Sequence, residues 1–230
     1  MPELTIAMLS WGHHKTLINT LSSYQNGGLL FNPNIEYIIY FQEVSKGDER
    51  IAKLFGFEAY GWETNIGIAP AYDFLVRAAK GDCFLFLEND WELRELPWKQ
   101  LNVAMFRLLD GVYDVVRFRH RQHPGHPLWT RQFQGRELTR PEHLLDCVHW
   151  VERPADRFKD YIGWDDPFFN TTARYANWTN NPTMFRTNWL KEIILPRIGI
   201  RDIEIDLQSW WQEQDFVVAQ GEGLFTHNRL

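Results

Sequence analysis

A succession of apolar segments separated by helix-patterned ones limits what this chain can fold into. Leu4 to Leu9, Ile35 to Phe41 and Cys83 to Leu87 are almost continuously apolar, and Glu58 to Trp62 has strand composition. Between them, His14 to Tyr24, Asp48 to Phe55 and Ala69 to Ala79 place apolar residues at helical spacing. Asn26-Gly27-Gly28, Gly56 and Lys80-Gly81-Asp82 break the pattern between elements. A strand apolar on both faces must be covered on both, and alternating helices do this for a parallel sheet. The expectation is an α/β, Rossmann-like, mostly parallel central sheet flanked by helices. In such sheets the ligand lies beyond the carboxyl ends of the strands. That edge would carry Ser10-Trp11-Gly12, Gln42-Glu43, Asn65-Ile66-Gly67 and Glu88-Asn89-Asp90.

The second half reads differently. Leu101 to Leu109 is helical and Asp114 to Arg121 alternates like a strand. From Gln122 to about Tyr175 the pattern is irregular and rich in Pro, His and Trp, as in a functional loop region. Pro182 to Arg186 reads as a strand, Asn188 to Ile194 as a helix and Asp215 to Gln220 as a last helix. At 230 residues the chain fits one domain, with 1–92 as a ligand-binding half and 93–230 as an irregular second lobe.

A net charge of −6 argues against nucleic acid as a partner, because phosphate neutralisation needs a basic surface. No apolar run is long enough to span a bilayer, and the first residues lack a signal-peptide core, so a cytoplasmic protein is expected. Two cysteines exclude a disulfide framework or a cysteine zinc site. Eleven tryptophans fit either a large aromatic core or a cleft that stacks on sugars.

The most informative stretch is Glu88-Asn89-Asp90-Trp91-Glu92, where an apolar strand runs into alternating acids. If the strand continued, Glu88, Asp90 and Glu92 would point to one side. Converging carboxylates repel one another unless a cation sits between them. Mg2+ or Mn2+, which take oxygen ligands and are often shared with substrate phosphates, suit that chemistry.

Thr64-Asn65-Ile66-Gly67, a helix ending in Arg77-Ala78-Ala79-Lys80-Gly81-Asp82, and then Cys83 to Asp90 resemble the nucleotide-sugar half of GT-A fold glycosyltransferases of the family 2 type. The match extends over about Leu4 to Glu92 in order and spacing. The resemblance implies a metal-dependent transferase that moves a sugar from a nucleoside-diphosphate sugar (UDP-sugar first, GDP-sugar second) to a hydroxyl of a glycan or other acceptor, with inversion. It makes Asp90 the metal ligand of an Asp-x-Asp motif whose first acid, here Glu88, falls near the donor ribose or the metal as a donor contact and further metal ligand. Ser10, Trp11, Gln42, Glu43, Asn65, Gly67, Asp73 and Asn89 fall where the family contacts the donor, with Gln42-Glu43-Val44-Ser45 in place of its base-reading Asp-x-Ser. Glu213 and Asp215 are similar to the Glu-Asp pair that supplies the base, with Asp215 favoured. His227 falls where a histidine completes the metal site. Asn177 to Arg186 resembles the acceptor-side strand, with Trp178, Asn180 and Asn181 as sugar contacts.

Other readings stand beside this one. A nucleotidyltransferase shares the layout and metal use, but Ser10 to Lys15 is a poor version of its basic Gly-rich loop. A non-catalytic carbohydrate-binding homologue would suit the tryptophans. His120, His123 and His126 are evenly spaced beside Arg117, Arg119 and Arg121, but the prolines around them preclude a helical zinc face and suggest a basic loop.

Overall fold

The computed structural model describes residues 2–126, 140–199 and 203–228. Part of the irregular Gln122–Tyr175 stretch, residues 127–139, therefore lies outside the described residues. In chain order the elements are β1 (Leu4–Trp11), α1 (His14–Asn26), β2 (Ile35–Gln42), α2 (Lys46–Leu54), β3 (Glu58–Trp62), α3 (Ile68–Ala78), β4 (Cys83–Glu88), β5 (Trp91–Leu93), α4 (Trp98–Leu109), β6 (Val115–Arg119) and β7 (Gly125–His126). A 3-10 stretch (Pro141–His149) follows, then α5 (Pro154–Arg157), β8 (Gly163–Asp165), β9 (Phe168–Thr172), β10 (Thr183–Arg186), α6 (Thr187–Trp189, continued to Ile194), α7 (Ile203–Trp211) and β11 (Val217–Asn228).

The strands form one sheet in the order β3-β2-β1-β4-β10-β6-β11-β9-β8, with β5 and β7 also on β11. β3, β2, β1 and β4 are parallel, as the near-unbroken apolar character of β1, β2 and β4 requires. β10 runs antiparallel to both β4 and β6, and the sheet is mixed beyond it. One buried cluster packs α1 and α4 residues such as Leu17, Leu21 and Leu101 against one face. The other packs α3, α7 and the 3-10 stretch through Tyr72, Leu75, Leu145 and Leu207.

The registers define a single functional edge. Trp11 pairs with Gln42, and Leu9 with Glu88, so β1, β2 and β4 end together. β10 enters there, since Thr183 pairs with Phe86. β11 leaves there, since it runs parallel to β6 with Phe225 opposite Arg119.

The expected last helix at Asp215–Gln220 is instead the start of β11. Val218, Ala219 and Gln220 are flanked by β6 on one side and β9 on the other. A short apolar run does not by itself distinguish a strand from a buried helix, and here the β-branched Val217-Val218 pair fits the strand. The last helix is α7, whose Ile203, Leu207 and Trp211 repeat every four residues on the buried side.

β11 is not straight. Its register against β6 shifts between Gln220 and Phe225, and Gly223 lies inside the shift at φ 83°. A Cβ there would stand 2.2 Å from the Arg119 carbonyl oxygen. Gly223→Ala should therefore lower the unfolding free energy by about 2–3 kcal/mol, read from urea denaturation. An unchanged midpoint would show that the bulge tolerates a side chain.

Candidate active site

The alternation of acids after β4 is interrupted. β4 stops at Glu88, Asn89 and Asp90 form a turn, and β5 leaves to pair with β11. Glu88, Asp90 and Glu92 are therefore not on one strand face, as the sequence had suggested. Glu92 accepts a bond from the Asn228 amide at 2.8 Å, near the surface. Glu88 and Asp90 both line a cleft at the functional edge.

The β5–β11 pairing places Trp91 opposite His227 and brings the imidazole to Asp90. His227 Nε2 lies 3.0 Å from Asp90 Oδ2. Asp90 Oδ1 is buried and, among the described residues, has no hydrogen-bond partner. A buried carboxylate oxygen left unpaired is costly, and a cation satisfies it. The residues thus fit a divalent ion held by Asp90 and His227. Among the described residues, no group of three His, Cys, Asp or Glu side chains gathers as a metal cage. Further ligands would come from a bound substrate and water, as is usual where an ion is shared with phosphates.

The cleft has a volume of about 550 Å³ and is lined by Leu9, Trp11, His13, Thr16, Gln42, Asn65, Gly67, Ile68, Glu88, Asn89 and Asp90. Gln42 forms its framework. Its side-chain amide accepts from Ile66 N at 2.9 Å and donates to Gly67 O at 2.8 Å, clamping the loop before α3. Asn65 Oδ1 accepts from Gly67 N at 2.8 Å, and Gly67 adopts φ 89°, which a side chain would resist. Trp11 is 58% exposed and its indole N–H donates to Glu43 Oε2 at 3.2 Å. The expected edge residue Ser10 is buried, with an unpartnered hydroxyl. α1 and α3 follow His13 and Gly67, neither of which supplies a side-chain cap, so first-turn N–H groups at the cleft remain available to an anion. Thr16 and Ile68 also line the cleft, and neither residue type carries a chemical signal in a sequence.

The remaining expected residues are placed elsewhere or in other roles. Asp73 points to the surface of α3 and pairs with Arg77 at 2.8 Å. Trp178 is 2% exposed, edge-on to Trp211 and stacked on Phe185, so it belongs to the core and cannot stack on an acceptor. Asn180 is buried too, its Oδ1 taken by Trp178 Nε1 at 2.9 Å. Asn181 keeps a buried Oδ1 that is unpaired among the described residues and, by extension of the β10–β4 register, stands level with Glu88. Asp215 and Glu213 lie before β11, at the opposite sheet edge from His227. Val218 and Phe225 are opposite Val115 and Arg119, four β6 residues apart, and at ~3.3 Å per residue this segment alone puts roughly 13 Å between the part of the chain that bears Asp215 and the part that bears His227. Asp215 is exposed and pairs with Arg174 at 3.0 Å. The expectation that Asp215 is the base is corrected by this topology.

The acid that does reach the functional edge is Glu204, in the first turn of α7. Its Oε1 accepts from Asn180 N at 3.0 Å and Thr179 Oγ1 at 3.1 Å. The signal was present in the four-residue repeat Ile203, Leu207, Trp211, which marks a helix that opens with acids.

The basic loop has structural work. Arg117 bonds Asp146 Oδ1 at 3.2 Å and also donates to Asn177 O, and Arg121 donates to the carbonyls of Val148, Val151 and Glu152. His120 Nδ1 accepts from the Gln122 and His123 amides, and Nε2 faces Glu95 at 3.3 Å, so it organises its own turn rather than holding zinc. Burial depresses the His149 pKa to about 4, and Asp146 is held below the usual carboxylate range by its bond to His143 and by Arg117.

No family model matches the chain, and no curated protein sequence is similar to it. Solved structures are similar. S. aureus TarS 1–349 matches with a TM-score of 0.62 at 14% identity, over 99% of this chain and 60% of that one. The same fragment in complex with UDP-GlcNAc matches with a TM-score of 0.60 at 13% identity, over 100% and 59%. The chain thus spans about three-fifths of the TarS fragment's length. At this identity the likeness is one of fold. The chain has the GT-A glycosyltransferase fold, as its sequence led us to expect. Among the described residues, no helix is long and apolar enough to cross a membrane.

Two outcomes follow from the clamp and the buried histidine. Gln42→Ala strips partners from Ile66 N and Gly67 O and should cost about 1–3 kcal/mol in urea denaturation. Equal stability would mean water replaces the amide without loss. His149 carries a lower pKa folded than free (6.5), so the unfolded chain binds the extra proton between those values. Stability should fall as pH drops from about 6.5 to 4, by up to about 3 kcal/mol, and Asp146 adds to the loss at lower pH. His149→Gln should flatten this part of the stability–pH curve.

Proposed function

We propose that this protein is a glycosyltransferase that uses a nucleoside-diphosphate sugar and a divalent ion, Mn2+ or Mg2+, and transfers the sugar to a hydroxyl acceptor. The carrying observation is Asp90, whose unpaired buried Oδ1 and His227-facing Oδ2 sit in the cleft at the carboxyl edge of the parallel strands. The nitrogen ligand favours Mn2+ over Mg2+, which prefers oxygen. The TarS fragment bound to UDP-GlcNAc supports a UDP-sugar donor, with a GDP-sugar as the second choice. Residues 1–92 would form the nucleotide-sugar half and 93–230 the acceptor half, except that His227 returns to the first.

In this reading Trp11 offers an exposed face for a base, and Gln42 holds the Asn65–Gly67 loop as a wall beside it. The open N-termini of α1 and α3 face the diphosphate. Asp90 and His227 would hold the ion, which supplies charge neutralisation to a leaving diphosphate. Asn181 Oδ1 is available to a sugar hydroxyl. Glu204 replaces Asp215 as the base that accepts the proton of the acceptor hydroxyl, because it alone of these acids reaches this edge. Direct attack assisted by one base inverts the anomeric centre, and NMR of the product reads that configuration.

Calorimetric titration with UDP and GDP, with and without Mn2+, followed by mass spectrometry over a panel of nucleotide sugars, tests this reading. Asp90→Asn should weaken Mn2+-dependent nucleotide binding about tenfold or more. Glu204→Gln should keep nucleotide affinity and lower turnover by about 10²–10⁴. Stabilisation by free glycans with no response to any nucleotide would favour a carbohydrate-binding module instead.

A further inference from the structure

We infer that Trp91 is a positioning residue for His227, its indole face setting the imidazole plane so that Nε2 is presented to Asp90. The inference rests on the reading of Asp90 and His227 as the metal pair.

The two rings are stacked with centroids 4.6 Å apart and planes 11° from parallel. They face each other across the β5–β11 ladder, where Trp91 and His227 are register partners. Trp91 is only 4% exposed, its carbonyl is held by the Tyr24 hydroxyl at 2.7 Å, and the Arg119 guanidinium lies 5.3 Å from its ring centre. The indole is therefore the fixed member of the pair. A buried indole N–H normally finds a hydrogen-bond partner. That of Trp91 has none among the described residues, so the ring is placed for its face rather than for its N–H.

His227 needs such a guide. A metal-binding histidine is usually oriented by a hydrogen bond to its second ring nitrogen. Among the described residues, Nδ1 of His227 makes no such bond, and its ring is contacted through Nε2 and through its face. The χ2 torsion of histidine is broad, so a strand-end imidazole without either restraint would sample many planes. Stacking on Trp91 replaces the missing hydrogen bond.

The test measures Mn2+ affinity by electron paramagnetic resonance of the free ion, with UDP present, for the wild type, His227→Ala, Trp91→Leu and Trp91→Phe. His227→Ala and Trp91→Leu should each weaken Mn2+ binding about tenfold or more, while Trp91→Phe, which keeps a flat ring, stays near wild type. If His227→Ala has no effect, the metal reading of His227 fails and the inference with it. If His227→Ala weakens binding but Trp91→Leu does not, the metal reading stands and the inference is overturned. Equal losses in Trp91→Leu and Trp91→Phe also overturn it, because they trace the effect to packing rather than to a ring face. Should Trp91→Leu fail to fold, wild-type NMR decides. The His227 ring protons should keep their upfield ring-current shift when Mg2+ and UDP are added, and loss of that shift means the imidazole leaves Trp91 to reach the ion.

Discussion

The candidate site depends on the short ladder between β5 and β11. Three residue pairs, Leu93–Phe225, Glu92–Thr226 and Trp91–His227, carry the end of the chain back to the turn that follows β4. A strand of three residues is weak by itself. Here it is held from behind by α1. Thr20 Oγ1 donates to Asn89 O, Ser23 Oγ accepts from Leu93 N, and the Tyr24 hydroxyl donates to Trp91 O. Spacings of three and four put these hydroxyl groups on one helix face. The Arg94 amide adds a bond to Leu224 O. The turn bearing Asp90 is thus fixed to the same helix whose first residues line the cleft.

The turn also determines how negative charge is distributed. Had β4 continued, Glu88, Asp90 and Glu92 would share a face and repel. Breaking the strand at Asn89-Asp90 separates them, sending Glu92 out to Asn228 and keeping Glu88 and Asp90 on the cleft. Of these two, Asp90 has a histidine at one oxygen and, among the described residues, no partner at the other. In the proposed site, two protein ligands would leave room for phosphate oxygens, whereas a closed set of four would exclude them. The open N-termini of α1 and α3 would act in the same direction, since they favour an anion beside such an ion.

The nucleotide-side half was legible because its code is local. Leu4–Leu9, Ile35–Phe41 and Cys83–Leu87 had to be interior strands, and the position of a ligand edge follows from parallel topology alone. The family pattern pointed to Asp90 and His227, which the fold brings within 3.0 Å of each other. The packing of Glu204 on the Thr179–Asn180 segment, and the strand identity of Val217–Gln220, were not legible. A four-residue apolar run is compatible with either element until its neighbours are known, and β6 and β9 come from distant parts of the chain. Trp178 misled for a similar reason: a tryptophan next to asparagines reads like a sugar platform, and only the tertiary contacts with Phe185 and Trp211 reveal it as core.

The two edges of the sheet treat carboxylates in opposite ways. Away from the cleft, Asp114 bonds both Arg186 and Val217 N, Glu36 takes Lys80 and the Thr5 hydroxyl, and Asp215 pairs with Arg174. Each is neutralised by a permanent cation, and several also tie one element to the next. At the cleft, Asp90 meets an imidazole, whose charge is not permanent, and, among the described residues, Asn181, level with Glu88 by register, retains an unpaired oxygen. Folding alone would favour satisfying these groups as the far edge does, because buried unpaired oxygens destabilise the native state. Their persistence at the edge where the parallel strands end, next to two uncapped helices, is what a binding site for a cation and its anionic ligand requires.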